Sequence, residues 1–240
     1  MPYRVATLSI FFSYIVNAQM ITASVGEYPP YVSRAEEKAN MASEIVVAAY
    51  KEVGYQVTLR WVPWRRAYEE VKDGKVDISY PWRKTDEREK VFFFSNILYQ
   101  SEEVFYYQKD TEFDWYVLSD LKEYSIGGSL GYSHIELLTK AGLKVNTAKT
   151  DALNLTKLYK KRIDIFPLDP RVGNYIISSL PNDYKNTIIA HEKALFTSGN
   201  YVIVSNSDPK RGQHLIDKFN RGLDIIKQNG VLETILSRYE

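Results

Sequence analysis

The unit that decides the fold occurs twice, as YEEVKDGKVDISY at residues 68–80 and as LTKLYKKRIDIFPL at residues 155–168. In each copy, apolar residues at helical spacing are followed by a basic turn and a Val/Ile-Asp-Ile segment. A change of apolar period from about 3.6 to about 2 residues is typical of a helix that leads into a strand. Two such copies predict two lobes of the same α/β architecture.

The elements around these units follow the order expected of open α/β sheets. Alternating apolar residues predict strands at 21–25, 57–61, 76–80, 125–129 and 163–167. Helix starts are predicted where a capping residue or a proline precedes helical spacing, at Ser43, Pro63, Ser133, Asp169 and Pro209. At the third of these, Glu136 completes the pattern of a capping box.

Two β-prone segments, 104–115 and 197–205, flank the second unit. A chain that leaves the first lobe and returns to it crosses between lobes twice, so we expect hinges near 105–110 and 195–200. The predicted division is a first lobe of 19–107 and 197–240 and a second lobe of 108–196.

Composition and the N-terminus restrict the protein class. The 31 Lys+Arg and 30 Asp+Glu residues leave no basic excess for nucleic acid, and the absence of cysteine excludes disulfides and thiol catalysis.

Residues 1–18 combine one cation, Arg4, with an apolar run too short to span a bilayer and a terminal Ala18. This pattern predicts a signal peptide and therefore an exported, periplasmic protein.

Several segments together resemble the extracellular solute-binding proteins of family 3, bacterial periplasmic proteins that deliver polar amino acids to ABC importers. They are GEYPPY (26–31), PWRRAYEEVKDGKVDI (63–78), TDEREKVFFFS (85–95) and RIDIFPLD (162–169). The resemblance extends over roughly residues 20–240. It implies a type 2 periplasmic binding protein fold, with two α/β lobes, two hinge crossovers and a ligand in the cleft between the lobes.

Arg88 is the first candidate for ligand contact. Thr85 is placed to cap a short helix just beyond the strand at 76–80, and open α/β sheets bind ligands at that edge. A guanidinium there can hold a carboxylate with two parallel hydrogen bonds. The resemblance implies that Arg88 holds the ligand's α-carboxylate. The alternative is a surface arginine paired with Glu89 or Asp86.

The other candidates each have a structural alternative. Asp169 is a helix N-cap or, as the resemblance implies, a partner of the ligand's α-amine. Ser133 either completes a plain capping box or contacts the carboxylate at a helix start, where anions are favoured. The remaining candidates are aromatic or acidic residues that line the cleft or belong to the core: Tyr28, Glu27, Trp64, Trp82 and Tyr132.

The segment Tyr80-Pro81-Trp82-Arg83 departs from the resembled family, which usually carries small hydroxyl residues that bind the ligand amine here. Two bulky rings and an extra cation replace them. Either the ligand is not a standard amino acid, or the pocket is smaller and differently charged.

We expect a monomeric, non-enzymatic binding protein that closes over a small-molecule carboxylate, with an ABC permease or a membrane receptor as partner. One alternative is an orphan ligand sensor of the same fold. Another is a hydrolase in which Ser129, in a G-x-S-x-G motif, acts with Asp169 and His191 or His214. A lyase that uses Glu27 is a third. The sequence indicates no cofactor, and His134, His191 and His214 lack metal-ligand spacing.

Overall fold

The computed structural model describes residues 19–34 and 40–239, so the predicted signal peptide at 1–18 lies outside the described residues. The described chain is an α/β structure in which the strands form one path in the order β2-β1-β3-β9-β5-β8-β6-β7, with β4 paired to β9. The strands are β1 (Gln19–Val25), β2 (Tyr55–Trp61), β3 (Ile78–Trp82), β4 (Phe92–Phe94), β5 (Tyr99–Gln108), β6 (Ile126–Ser129), β7 (Val145–Ala148), β8 (Ile165–Leu168) and β9 (Ile188–Ser205). The helices are α1 (Met41–Glu52), α2 (Trp64–Lys72), α3 (Asp86–Glu89), α4 (Ser133–Lys140), α5 (Asp151–Tyr159), α6 (Pro170–Ser179), α7 (Asn182–Thr187), α8 (Pro209–Gln228) and α9 (Val231–Leu236).

The first lobe is built on β1, which lies parallel between β2 and β3. The end of β9 adds an antiparallel strand beside β3 and β4. Helices α1 and α8 pack together so closely that a Cβ at Gly222 would lie 1.9 Å from the backbone oxygen of Ala49. The predicted βαβαβ order of this lobe is confirmed.

The second lobe repeats this arrangement, since β6 lies parallel to both β7 and β8. Its helix α5 spans the predicted 151–159, and α6 begins directly after Asp169, which caps it by accepting hydrogen bonds from the backbone N–H groups of Arg171 and Val172. Each lobe is thus an open α/β sheet, as predicted.

Several local predictions were wrong, among them the start of the 163–167 strand, since β8 begins at Ile165. Helix α1 begins at Met41 after Asn40, so Ser43 is buried inside the helix and does not cap it. Strand β3 starts two residues later than predicted and continues to Trp82. Ser133 is the first residue of α4, Tyr132 occupies the cap position, and no side chain makes a capping hydrogen bond there.

The lobes are connected by β5 and β9, which pair with each other in antiparallel fashion along most of their length. The pairing joins Glu103 to Phe196 and Val104 to Ala194, so Leu195 is an extra residue in β9. From Val104 onward, β5 also pairs with β8 of the second lobe. The paired strands β5 and β9 agree with the prediction that the chain crosses between the lobes twice. The residue limits of the lobes stay a prediction.

None of the helices in the described part of the chain is both long and apolar enough to span a bilayer.

Candidate ligand-binding site

A cavity lies between the two lobes at the ends of β3 and β6. We call it the interlobe cavity; its lining residues are Tyr28, Trp64, Pro81, Trp82, Arg83, Arg88, Glu103, Gly131, Tyr132, Ser133 and Asn200. About 50 Å³ of this cavity can be occupied by molecules the size of water, which is room for a few of them. The cavity brings together six of the eight predicted site residues and leaves out Glu27 and Asp169.

Arg88 is held in this cavity by the local structure that the sequence predicts. The Thr85 side chain accepts a hydrogen bond from the Arg88 backbone N–H and caps α3. The guanidinium lies 4.9 Å from the Trp82 ring centroid, where a cation is attracted by the ring face. It donates from Nη1 to the backbone oxygen of Arg83 and from Nη2 to that of Gly131, each at 2.8 Å. Arg88 therefore joins the first lobe to the second.

The Arg88 guanidinium has no acidic partner among residues 19–34 and 40–239, and the side chain is buried. Burial of this cation lowers the pKa of Arg88 to about 10. The predicted alternative, a surface pair with Glu89 or Asp86, is wrong: Glu89 contacts Lys84, and Asp86 contacts Lys140. Arg88 is thus a buried positive charge that faces a cavity.

A second cation, Arg83, enters the cavity as part of a buried network that crosses the lobes. Its Nη1 atom lies 2.9 Å from Glu103 Oε1, and its Nη2 atom donates to Ser101 Oγ at 3.0 Å. The other Glu103 oxygen lies 2.8 Å from His134 Nδ1 on α4. Burial raises the pKa of Glu103, but the Arg83 charge and the His134 contact outweigh it, so the pKa of this carboxyl is lowered.

The hydrogen bonds of His134 fix its charge. The ring is fully buried, and its Nε2 atom accepts from the backbone N–H of Ser129 at 3.3 Å. Because a backbone N–H is always a donor, Nε2 carries no proton and Nδ1 donates to Glu103. The imidazole is therefore neutral in this arrangement. Sequence reasoning identified Arg83 as an extra cation but did not assign Glu103 or His134 to the site.

Aromatic side chains form the walls of the cavity. Trp64 meets Trp82 edge to face at 5.4 Å, and Tyr28 meets Trp64 and Tyr132 in the same manner at 6.2 and 5.9 Å. The indole of Trp64 lies so close to Gly26 that a Cβ there would be 2.8 Å from it. It also donates to the backbone oxygen of Glu27 at 2.9 Å. These rings fix a narrow space between the lobes.

The two remaining predicted residues lie apart from this cavity. Asp169 uses Oδ1 to cap α6, while its Oδ2 accepts from Tyr31 OH at 3.1 Å. Tyr31 is stacked between Tyr28 and Tyr99, with ring centroids 5.5 and 4.5 Å away. Glu27 lines a neighbouring groove between the lobes, where its carboxylate accepts from the backbone N–H of Arg34.

The structure does not assemble the hydrolase triad considered above. The buried Ser129 hydroxyl donates to Asp151 and accepts from Asn154 Nδ2 at 3.1 Å. His191 lies near Asp114, and His214 contacts Tyr55 OH. Ser129 thus belongs to a hydrogen-bond network inside the second lobe, and these contacts do not support the alternative in which it acts with His191 or His214.

Comparison with known proteins agrees with this architecture. The family model of the bacterial extracellular solute-binding proteins, family 3, matches residues 20–240. The chain belongs to this family. It is similar to the arginine-binding periplasmic protein of Mannheimia haemolytica, at 24% identity over 97% of this chain and 96% of that protein.

Two solved structures show the fold of this family 3 protein. One is a histidine kinase sensor domain with similarity to periplasmic binding proteins, with a TM-score of 0.82 at 20% identity, covering 93% of this chain and 96% of that one. The other is the arginine-, lysine-, histidine-binding protein of Geobacillus stearothermophilus, with a TM-score of 0.78 at 16% identity and coverages of 92% and 95%. The predicted type 2 periplasmic binding protein fold is confirmed, and the protein is a solute-binding protein.

Proposed function

We propose that this family 3 protein captures a small carboxylate-bearing solute in the interlobe cavity and closes over it for delivery to an ABC importer. The observation that carries the proposal is Arg88, a buried guanidinium with no carboxylate of its own among the described residues. A buried cation is costly unless an anion compensates it. A carboxylate that enters the cavity supplies that anion and accepts two hydrogen bonds.

The second lobe contributes the opposite wall for the same group. Ser133 lines the cavity as the first residue of α4, and its hydroxyl makes no capping bond. Helix N-termini favour anions because their first backbone N–H groups have no partner within the helix. An anion held between Arg88 and Ser133 interacts with both lobes at once. Because such a ligand binds the closed form more tightly than the open form, it shifts the equilibrium toward the closed form.

The relatives support the class of function and the compartment. The similar protein of Mannheimia haemolytica is an arginine-binding periplasmic protein. We accordingly propose export by the signal peptide at 1–18, action as a monomer in the periplasm, and an amino acid or a related carboxylate as solute. The fold also occurs in a histidine kinase sensor domain, so a membrane receptor is the alternative partner.

The test is thermal melting of residues 19–240 against a panel of amino acids, hydroxy acids, oxo acids and dicarboxylates. A ligand that binds only the folded state raises the midpoint with the logarithm of its concentration. Arg88→Ala should remove the response, and Arg88→Lys should restore little of it because lysine lacks the paired donors. Arg221→Ala, at an exposed position on α8, is the matched control.

Three results separate the possibilities. Ligand binding that persists in Arg88→Ala, with a folded circular dichroism spectrum, would refute the assigned role. Co-purification with a permease would support delivery, whereas ligand-dependent binding to a kinase or receptor ectodomain would support sensing.

A further inference from the structure

The charges of the interlobe cavity do not balance. Two guanidinium groups, Arg83 and Arg88, line it together with one carboxylate, Glu103. His134 adds no charge, because its Nε2 accepts from a backbone N–H. The lining therefore carries one net positive charge, the difference between two cations and one anion. A monoanion neutralises this cavity, whereas a zwitterionic amino acid leaves the excess in place.

The carboxylates that could balance the charge of an ammonium group are already engaged. Glu103 contacts Arg83 through one oxygen and His134 through the other. Asp169 is outside the cavity lining, and its oxygens serve the α6 cap and Tyr31. An ammonium group in the cavity would thus lie beside two cations without a free carboxylate among the lining residues. Like charges placed together in an interface are strongly unfavourable.

Arg83 offers the complementary group. Its Nη1 atom is ion-paired with Glu103 at 2.9 Å, and its Nη2 atom donates to Ser101 Oγ. The Arg83 side chain lines the cavity, and its guanidinium has N–H groups besides those directed at Glu103 and Ser101, so an oxygen of a ligand can accept a hydrogen bond from it. The two arginines are neighbours in the lining, because Arg88 Nη1 donates to the Arg83 backbone oxygen at 2.8 Å. With the carboxylate on Arg88, Arg83 is therefore the group assigned to an acceptor oxygen on the neighbouring carbon.

We propose that the cavity selects a small carboxylate with an oxygen on the adjacent carbon and no ammonium group, in the class of 2-oxo and 2-hydroxy acids. This proposal rests on the function proposed above and specifies its solute. The size of the cavity agrees with a short chain, since about 50 Å³ accommodates a few water-sized groups. Tyr28, Trp64 and Tyr132 limit any longer substituent.

The experiment compares acids of equal size with purified residues 19–240. Pyruvate, L-lactate, D-lactate and L-alanine each have six non-hydrogen atoms, and propionate lacks the 2-substituent. Titration calorimetry with each should give pyruvate or lactate an affinity about 10-fold to 100-fold above that of alanine, as expected when a like charge is avoided. Propionate should bind more weakly than the preferred acid, because it offers no acceptor to Arg83.

The outcomes are distinct. Alanine binding as tightly as pyruvate and lactate, and lost in Arg88→Ala, would overturn this inference but support the proposed function. Propionate binding equal to that of the preferred acid would overturn the role of the 2-oxygen. If the three-carbon acids fail but a larger amino acid binds, the inference is again overturned. If no carboxylate in the wider melting panel binds, both proposals fail.

A variant that removes one of the two positive charges tests the charge argument. Arg83→Gln makes the lining neutral and leaves Glu103 without its cationic partner, so the ratio of pyruvate to alanine affinity should fall by about 10-fold or more. Arg221→Ala should keep the wild-type ratio. An unchanged ratio in folded Arg83→Gln would overturn the assignment of Arg83. The wild-type comparison tests the proposal even if this variant does not fold.

Discussion

Replacing Glu103 by glutamine should destabilise the ligand-free protein by about 3–5 kcal/mol, because Arg83 is then buried without its counter-charge. The side chains of Arg83 and Glu103 are 7% and 3% exposed, and their charged atoms lie 2.9 Å apart. At this separation, an effective dielectric constant of about 20 gives an attraction of roughly 6 kcal/mol. That attraction offsets a desolvation cost of several kcal/mol per ion, and the variant loses the attraction while retaining the cost for Arg83.

Differential scanning calorimetry measures this effect directly. For a chain of this length, a loss of about 3–5 kcal/mol corresponds to a fall in the melting midpoint of about 6–20 °C. The double variant Arg83→Met/Glu103→Gln should recover most of the loss, because no charge is then buried at this position. The glutamine oxygen can still accept from His134 Nδ1, so the neutral part of the network is preserved.

The reasoning is refuted if Glu103→Gln alone costs less than about 1 kcal/mol, a value typical of exposed pairs. It is equally refuted if the double variant is no more stable than the single one. Either result would mean that water reaches the Arg83 guanidinium in solution.

Two further predictions concern the first lobe. Burial raises the pKa of Glu70, but hydrogen bonds from one serine and two arginines outweigh it and lower the pKa to about 2 from 4.5. The stability that this group contributes is present above pH 4.5 and is lost as the pH falls toward 2, so Glu70→Gln should flatten that decline in denaturant titrations. Gly222→Ala forces a methyl group onto the α1 backbone and should cost about 1–3 kcal/mol by urea unfolding. Asp224→Ala, on the exposed side of α8, should change the free energy of unfolding by less than about 0.5 kcal/mol.

The sequence predicted the features that depend on neighbouring residues. The helix at 151–159 follows from apolar spacing within nine residues, and the Thr85 cap places Arg88 through a contact three residues along the chain. The G-x-S-x-G motif was misleading for the opposite reason. Its chemistry depends on a histidine that accepts from the serine hydroxyl. Here the Ser129 hydroxyl donates to Asp151, and the nearby His134 accepts from the Ser129 backbone N–H.

The errors at helix starts have a tertiary cause. Ser133 fits a capping box by spacing, but Tyr132 takes the cap position because its hydroxyl is held by Asp151 on another helix, at 2.7 Å. Ser43 likewise fits an N-cap, yet it is buried in α1 and the helix begins two residues earlier. At both helix starts, a long-range contact or burial in the fold determines the first residue of the helix. The spacing of neighbouring residues carries no information about either.

The Arg83–Glu103–His134 network illustrates the same limit at the candidate site. Its members lie 20 and 31 residues apart along the chain and belong to the first lobe, the connecting ribbon and the second lobe. Glu102 and Glu103 are adjacent in β5, where Glu102 is exposed and Glu103 is buried. Only the pairing of β5 with β9 turns this carboxylate toward the other two side chains.

The ribbon of β5 and β9 also has a mechanical consequence. Because the two connections are hydrogen-bonded to each other, we expect them to bend together rather than independently. The ladder is irregular at two neighbouring places, at the extra residue Leu195 beside Glu103 and between Val104 and Tyr106, and a bulge bends and twists the strand that carries it. We therefore expect the lobes to open and close along one main angle. A partner protein that contacts both lobes would then detect a bound ligand through that angle alone.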